Sequence, residues 1–234
     1  YIVNLGGKRF RSSLTLMISE LFCGNPLLAI NEAMAIELFH NFTLIHDDIM
    51  DEASLRRGCE TVHKKWSNNE AILSGDLLYA LVNKLLATSE VTSSEIQTLF
   101  HQTAIEVCEG QAMDMDFEKR SDVSIDEYLL MIKLKTAVLV ACALKIGALI
   151  GGAKDSDANQ LYEFGINLGV AFQIHDDILD VYPSHSSFGK KVGGDIIEEK
   201  KTLLYISLLN SASKSEIDQL NTLYSSKDAN SEEI

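Results

Sequence analysis

Only two prolines, Pro26 and Pro183, occur in the 234 residues, and that scarcity constrains the fold more than any other feature. Proline fixes φ and removes the amide donor that a helix interior requires, so a chain nearly free of it can sustain helices of many turns. Apolar residues recur at three- and four-residue steps through 14–22 and stop at a Cys-Gly-Asn-Pro turn, 23–26. The same pattern predicts one long helix over 27–50 and further helices over 70–88, 94–117, 125–151 and 158–181, separated by short Ser, Gly, Asp or Asn punctuation. Hairpin-bounded alternation is absent, so no strands are expected. Residues 134–150 are apolar on nearly every face, which places that helix inside a bundle of more than four helices. The fold class is therefore all-α. It is read as one domain over 1–234 that opens at Tyr1 and stops in a helix-compatible stretch, as a chain trimmed at both termini does.

Thirty-four acidic against twenty basic residues give a formal charge of −14, which argues against nucleic acid or an anionic membrane as the main partner. An anionic substrate then needs metal ions or a local basic cluster. No stretch approaches ~18 uninterrupted apolar residues, and residues 1–11 are not a charged-then-apolar leader, so no transmembrane segment is expected. Cys23, Cys59, Cys108 and Cys142 are scattered without C-x-x-C spacing and mostly among apolar neighbours, the pattern of reduced structural cysteines. A cytoplasmic setting is the resulting expectation.

Two distant segments echo each other: Leu44-Ile-His-Asp-Asp-Ile-Met-Asp51 and Phe172-Gln-Ile-His-Asp-Asp-Ile-Leu-Asp180. Each ends a long apolar helix with D-D-x-x-D, namely Asp47, Asp48 and Asp51, then Asp176, Asp177 and Asp180. In a helix the first and third aspartates of each set lie four apart and project from one face. Three like charges in one turn are unfavourable unless a cation sits there, and hard oxygen donors suit Mg²⁺, which keeps waters and bridges to phosphate oxygens. Acidic runs often lie on solvated faces, but the flanking Phe42, Leu44 and Ile45, and Val170, Ala171, Phe172 and Ile174, are unlike such a face. His46 and His175 each precede an aspartate pair and are read as orienting those carboxylates by hydrogen bonds.

Compact basic groups accompany the clusters. Gly6-Gly-Lys-Arg-Phe-Arg11 combines flexible backbone with three cations, Arg56-Arg-Gly58 follows the first cluster, and Gly189-Lys-Lys191 with Lys200-Lys201 follows the second. Surface charge runs are common, yet in so acidic a chain their placement suggests recognition of metal-bound anions. No G-x-x-x-x-G-K-[ST] or G-x-G-x-x-G turn occurs, which excludes nucleotide-type phosphate binding.

With these residues the sequence resembles the trans-isoprenyl diphosphate synthases nearly end to end. The matching blocks are Gly-Gly-Lys-Arg-x-Arg at 6–11, His40, Asp47-Asp-x-x-Asp51, Arg56-Arg-Gly58, Thr61-x-His63, Gly75-Asp76, Gly110-Gln-x-x-Asp114, Lys135-Thr136, Gln173 before Asp176-Asp-x-x-Asp180, and Gly189-Lys190 with Gly193-x-Asp195 and Lys200. The resemblance implies roughly ten or more helices around a central cavity, usually as a homodimer. It further implies head-to-tail condensation of isopentenyl diphosphate with dimethylallyl, geranyl or farnesyl diphosphate through an allylic carbocation. Asp47, Asp51 and Asp176 would ligate Mg²⁺, on the order of three ions per site. Arg56, Gln111, Asp114, Lys135, Lys190 and Lys200 would complete the allylic pocket, and Lys8, Arg11, His40 and Arg57 would grip isopentenyl diphosphate. The Lys135 carbonyl, the Thr136 hydroxyl and the Gln173 side-chain oxygen would face the cation, with Asp48, Asp177 and Asp180 completing the catalytic set. Two departures from the family pattern, Ser12 for proline and Glu199 for glycine, remove no charged contact, although glutamate restricts the backbone before Lys200.

Phe42 and Thr43 lie one turn before Asp47 and so can act as the floor for a growing chain. In the family a large aromatic five residues before the first aspartate marks short products, hence an expectation of C15 to C20. The competing reading has Phe42 packing between helices and the floor on the helix of residues 71–86. A class I terpene cyclase, a His-Asp metal phosphohydrolase using His46-Asp47 and His175-Asp176, and a non-catalytic regulatory subunit are the rival functions.

Overall fold

The computed structural model describes residues 1–182, 194–197 and 200–224. The helices are α1 (Phe10–Cys23), α2 (Ile30–Met50), α3 (Val62–Lys65), α4 (Asn68–Thr88), α5 (Ser94–Phe117), α6 (Ile125–Ile132), α7 (Val138–Ile150), α8 (Asp155–Val181), α9 (Gly194–Ile197), α10 (Leu203–Ser211) and α11 (Lys214–Tyr224). Their ends follow local chemistry. Gly24 closes α1 in the left-handed region at φ 72°, Ser67 caps α4 through the Glu70 amide, and Ser124 with Glu127 forms a reciprocal capping box on α6.

Three expectations are corrected. The helix expected from residue 27 begins instead as a short 3₁₀ turn, Pro26–Ala29, because Pro26 sits at its start and the Asn25 side chain accepts the Leu27 amide. The helix expected over 125–151 is interrupted by a π-helical segment, Lys133–Ala137. A two-residue antiparallel ladder pairs Leu55 with Glu60 and Arg56 with Cys59, too short for alternation to register. Its two-residue loop, Arg57-Gly58, takes φ of 55° and 76°, the all-positive geometry that matches strand twist. None of the four cysteines is in a disulfide, as expected; Cys142 is buried, whereas Cys23, Cys59 and Cys108 are exposed.

Two compact units form, Tyr1–Thr103 with Leu139–Gly165, and Ala104–Val138 with the described residues from Ile166 onward. In the first, α2 packs along α4. Ile2, Ile45, Val62 and Ala71 form one of its apolar clusters. The α7 residues, expected to be buried on all faces, are almost wholly so from Leu139 to Leu144. Thr15 donates to the Ala143 carbonyl at 3.1 Å. In the second unit, Phe117, Val123, Tyr128, Met131, Ile132 and Ile206 form the core, with Val170 and Ile174 of α8 against it. That packing sets α6, the π segment and the end of α8 beside one another.

Candidate active site

In the first unit the basic motifs and the first aspartate cluster are drawn together. Gly6 and Gly7 adopt φ of 82° and 125°, and the Arg57 guanidinium lies so close to Gly7 that a Cβ there would meet it at 2.7 Å. Arg57 donates to the Gly6 carbonyl, so the loop before α1 and the hairpin tip are joined. Arg11 approaches His40 Nε2 at 3.5 Å. Burial brings Arg11 down to about 10, opposed by Glu37. Burial, then Arg11, Arg57 and Arg56, brings the His40 imidazole down to about 3, so it is a neutral ring facing three cations. Lys8 is exposed.

A measurable consequence attaches to His40. Its imidazole resonances are expected to stay those of the neutral ring from about pH 8 down to about pH 5. The unfolded chain takes up this proton near 6.5 and the folded chain only near 3, so this residue lowers stability progressively as pH falls through that window. Protonation near 6.5 in the NMR titration would overturn the assignment.

The three aspartates of the first cluster do not share one environment. Asp48 is 1% exposed, and its Oδ1 accepts Arg56 Nη2 at 2.5 Å and Nε at 2.9 Å. Burial raises its pKa, and the Arg56 hydrogen bond opposes that. Asp47 is half-buried and Asp51, just past the last turn of α2, is exposed. His46 turns away from them. It reaches the Ile72 carbonyl at 3.4 Å and Asp76 at 3.9 Å, and its ring lies where a Cβ on Gly75 would be, 2.3 Å away. The expected role in orienting Asp47 and Asp48 is replaced by clamping α2 to α4: Gly75 supplies the space and the Ile72 carbonyl the acceptor. Phe42 stacks on Tyr79 with centroids 5.3 Å apart and meets the His46 ring edge-on at 4.7 Å. Thr43 turns its hydroxyl onto the His40 carbonyl.

In the second unit a cavity of about 100 Å³ is lined by Asp114, Tyr128, Lys135, Thr136, Gln173, Asp177, Asp195 and Lys200 among others. Lys135 Nζ pairs with Asp114 at 2.5 Å. Thr136 Oγ1 donates to Gln173 Oε1 at 3.1 Å, and Gln173 Nε2 donates to Asp177 Oδ1 at 2.9 Å. Lys135 and Thr136 sit in the π segment, a distortion that favours functional positions. Gly110 makes room for it, since a Cβ there would be 2.3 Å from the Lys135 nitrogen. Gln111 is buried beside it in sequence. Asp180 accepts the Asp195 amide at 2.9 Å, and Asp195 faces Lys200 at 3.7 Å. Asp176 is half-buried and His175 exposed. Asp177 is 5% exposed; burial raises its pKa, while Tyr128 and Gln173 oppose the rise. Lys190, Gly193 and Glu199 lie outside the described residues.

Sequence reasoning missed Tyr128 and Tyr79. Tyr128 donates to Asp177 Oδ2 at 2.5 Å; in sequence it reads as core, and the one available signal was that a buried phenol must find a partner. For a metal, the donor chemistry fits Mg²⁺, which takes one or two carboxylates and completes its shell with water and phosphate oxygens. Withdrawal of Asp48 onto Arg56 and of Asp177 onto Tyr128 and Gln173 leaves two carboxylates per helix end. Accordingly, no set of three His, Cys, Asp or Glu side chains converges among the described residues.

A sequence profile of the polyprenyl synthetases matches residues 1–234. The chain is 44% identical over 220 residues to a geranylgeranyl diphosphate synthase of Methanosarcina mazei, covering 93% of this chain and 68% of that protein. The crystal structure of a geranylgeranyl pyrophosphate synthetase from Pyrococcus horikoshii superposes with a TM-score of 0.88 at 40% identity, covering 93% and 68% of the two chains. That of a polyprenyl synthase from Caulobacter crescentus, complexed with calcium and isoprenyl diphosphate, gives 0.88 at 30% identity over 98% and 69%.

Proposed function

The chain belongs to the polyprenyl synthetase family, and from that premise we propose that it joins isopentenyl diphosphate head to tail (1′-4) to an allylic prenyl diphosphate, releasing diphosphate and giving a C15 to C20 prenyl diphosphate. It is read as a trans-prenyltransferase. The observation that carries the reading is the cavity in which Asp114, Lys135, Thr136, Gln173, Asp177 and Lys200, drawn from four separate sequence blocks, line one space.

Asp47, Asp51 and Asp176 would hold Mg²⁺, which when bound neutralises the departing diphosphate. The protein's own groups do the rest. Lys135, Lys200, Arg56 and Lys190 supply cations for the allylic diphosphate, with Gln111 and Asp114 beside them. Lys8, Arg11, Arg57 and neutral His40 grip isopentenyl diphosphate. Thr136 commits its proton to Gln173 Oε1, so the threonine lone pairs stay available to a developing allylic cation. Met131 and Ile132 in the cavity wall exclude water that would quench it.

A phosphohydrolase would need His46 on the metal, but that ring is occupied with Ile72, Gly75 and Phe42. Both aspartate clusters stand against a regulatory subunit, and the basic residues Lys8, Arg11 and Arg57 with His40 against a cyclase.

Phe42 of α2 stacks on Tyr79 of α4, a packing between helices that both the floor reading and its rival allow, so the product length decides between them. Phe42→Ala is expected to move the main product up by at least one five-carbon unit in mass analysis; unchanged products would place the floor elsewhere. The α4 helix is long and apolar enough to cross a membrane by length and composition alone, and Leu73, Leu77 and Leu81 repeat every four residues as exposed side chains. We assign this stripe to a homodimer contact, to be checked by sedimentation at several protein concentrations.

The deciding experiment incubates purified protein with Mg²⁺, labelled isopentenyl diphosphate and each allylic starter, with Asp47→Ala as control. C15 or C20 diphosphate that disappears in the control is expected. No elongation by folded protein would overturn the assignment.

A further inference from the structure

Resting on the prenyl-transfer reading, we propose that Tyr128 is a positioning residue that sets the reacting face of the cavity through a one-way chain of hydrogen bonds: Tyr128 to Asp177, Gln173 to Asp177, and Thr136 to Gln173. The three distances are 2.5, 2.9 and 3.1 Å. All four residues line the same cavity. Tyr128 is 1% exposed and its ring fills the core among Phe117, Met131, Ile132 and Ile206. Filling that space needs only a ring, which phenylalanine provides; the hydroxyl is the part that packing leaves unexplained.

The direction of each bond follows from donor and acceptor inventory. An ionised carboxylate only accepts, so the end of Gln173 that meets Asp177 is its NH₂ group and Oε1 lies at the opposite end. Thr136 Oγ1 must then be the donor to Oε1, which leaves both Gln173 and Thr136 presenting lone pairs. Inverting the amide would set its carbonyl against the Asp177 carboxylate and turn N–H groups, the wrong polarity, toward a developing cation. Tyr128 holds the second carboxylate oxygen and thereby prevents Asp177 from swinging, which would release the amide. Asp177 thus acts as an internal anchor, as Asp48 does for Arg56 in the first cluster. Tyr128 reaches the reacting carbon only through these intermediaries.

The test uses the full chain with Mg²⁺, geranyl diphosphate and isopentenyl diphosphate, and scores condensed diphosphate against free allylic alcohol, the product of water capture. Wild-type protein that fails to elongate removes the underlying reading; the remaining outcomes address Tyr128 alone. In Tyr128→Phe, kcat is expected to fall about tenfold, the size of one lost hydrogen bond to a charged group. The alcohol fraction rises, while KM for both diphosphates and the Mg²⁺ half-saturation stay within about twofold. Asp177→Asn, which can still accept from Gln173 and donate to the phenol oxygen, is expected to lose less kcat than Asp177→Leu at similar Mg²⁺ half-saturation. A readout independent of turnover is hydrogen exchange of the Gln173 side-chain amide in protein labelled with ¹⁵N-glutamine: slow in wild type, faster in Tyr128→Phe. Wild-type kcat and alcohol fraction in folded Tyr128→Phe overturn the proposal, as does a loss matched by a higher Mg²⁺ requirement. Fast exchange of that amide in the wild type overturns it without any variant.

Discussion

Gly110→Ala is expected to lose elongation by about a hundredfold or more, the scale of a misplaced catalytic group, and to melt several degrees lower, as about 1–3 kcal/mol of overpacking predicts. The added Cβ would stand 2.3 Å from the Lys135 nitrogen, 2.7 Å from its Cα and 2.8 Å from the Leu134 carbonyl carbon. These are backbone atoms of the π segment and cannot rotate aside. Relief requires α5 or that segment to shift, and either movement displaces Lys135 from Asp114 and Thr136 from Gln173 together. Gly75→Ala is the comparison: its three nearest neighbours are all atoms of the His46 ring, a side chain that can swing, so its kcat loss should be much smaller. Calorimetry beside steady-state assays of both variants decides the matter, and wild-type kcat in Gly110→Ala would show that the π geometry is dispensable.

Arg56→Ala should destabilise the protein by about 3 kcal/mol at neutral pH, the effect of leaving a buried charge without its partner. Asp48 is 1% exposed, Arg56 contacts only its Oδ1, and Oδ2 is a buried oxygen with no hydrogen bond among the described residues. Burial already raises the Asp48 pKa, and removing Arg56 raises it further. The folded variant therefore keeps a proton that the unfolded chain gives up, and its stability falls as pH rises through the interval between the two pKa values. Urea titrations should accordingly show a larger deficit relative to wild type near pH 7 than near pH 5, and Arg56→Ala/Asp48→Asn should recover part of it. An equal deficit at both pH values with no recovery would mean that Arg56 contributes through packing alone.

Most helices were readable from apolar periodicity, because that pattern is written by which face must leave water. The 94–117 helix agrees with the structure at both ends, and the other boundaries shift by a few residues where caps act. The repeated D-D-x-x-D and the basic groups near Arg57 and Lys200 were visible as residue types at fixed spacing, whereas Lys135 and Gln173 stood out only through the family resemblance. What spacing cannot carry is direction. Asp47, Asp48 and Asp51 are equivalent as letters, yet Asp48 turns inward to Arg56 while Asp51 stays in solvent, since only the hairpin, 51 to 60, brings a guanidinium under one of them. His46 likewise went to α4 because Gly75 leaves a hole there.

By itself, then, the amino-acid order determined the all-helical class, which follows from local periodicity, and the family, which follows from the resemblance its motifs carry; the residues proposed to bind a metal-bound diphosphate were named from the same motifs. Only the tertiary structure decided the π segment at Lys133–Ala137, the stacking of Phe42 on Tyr79 and the bond from Tyr128 to Asp177. Each depends on a contact between residues far apart in the chain, where close packing and the need to satisfy buried polar groups, rather than any local preference, choose the partner.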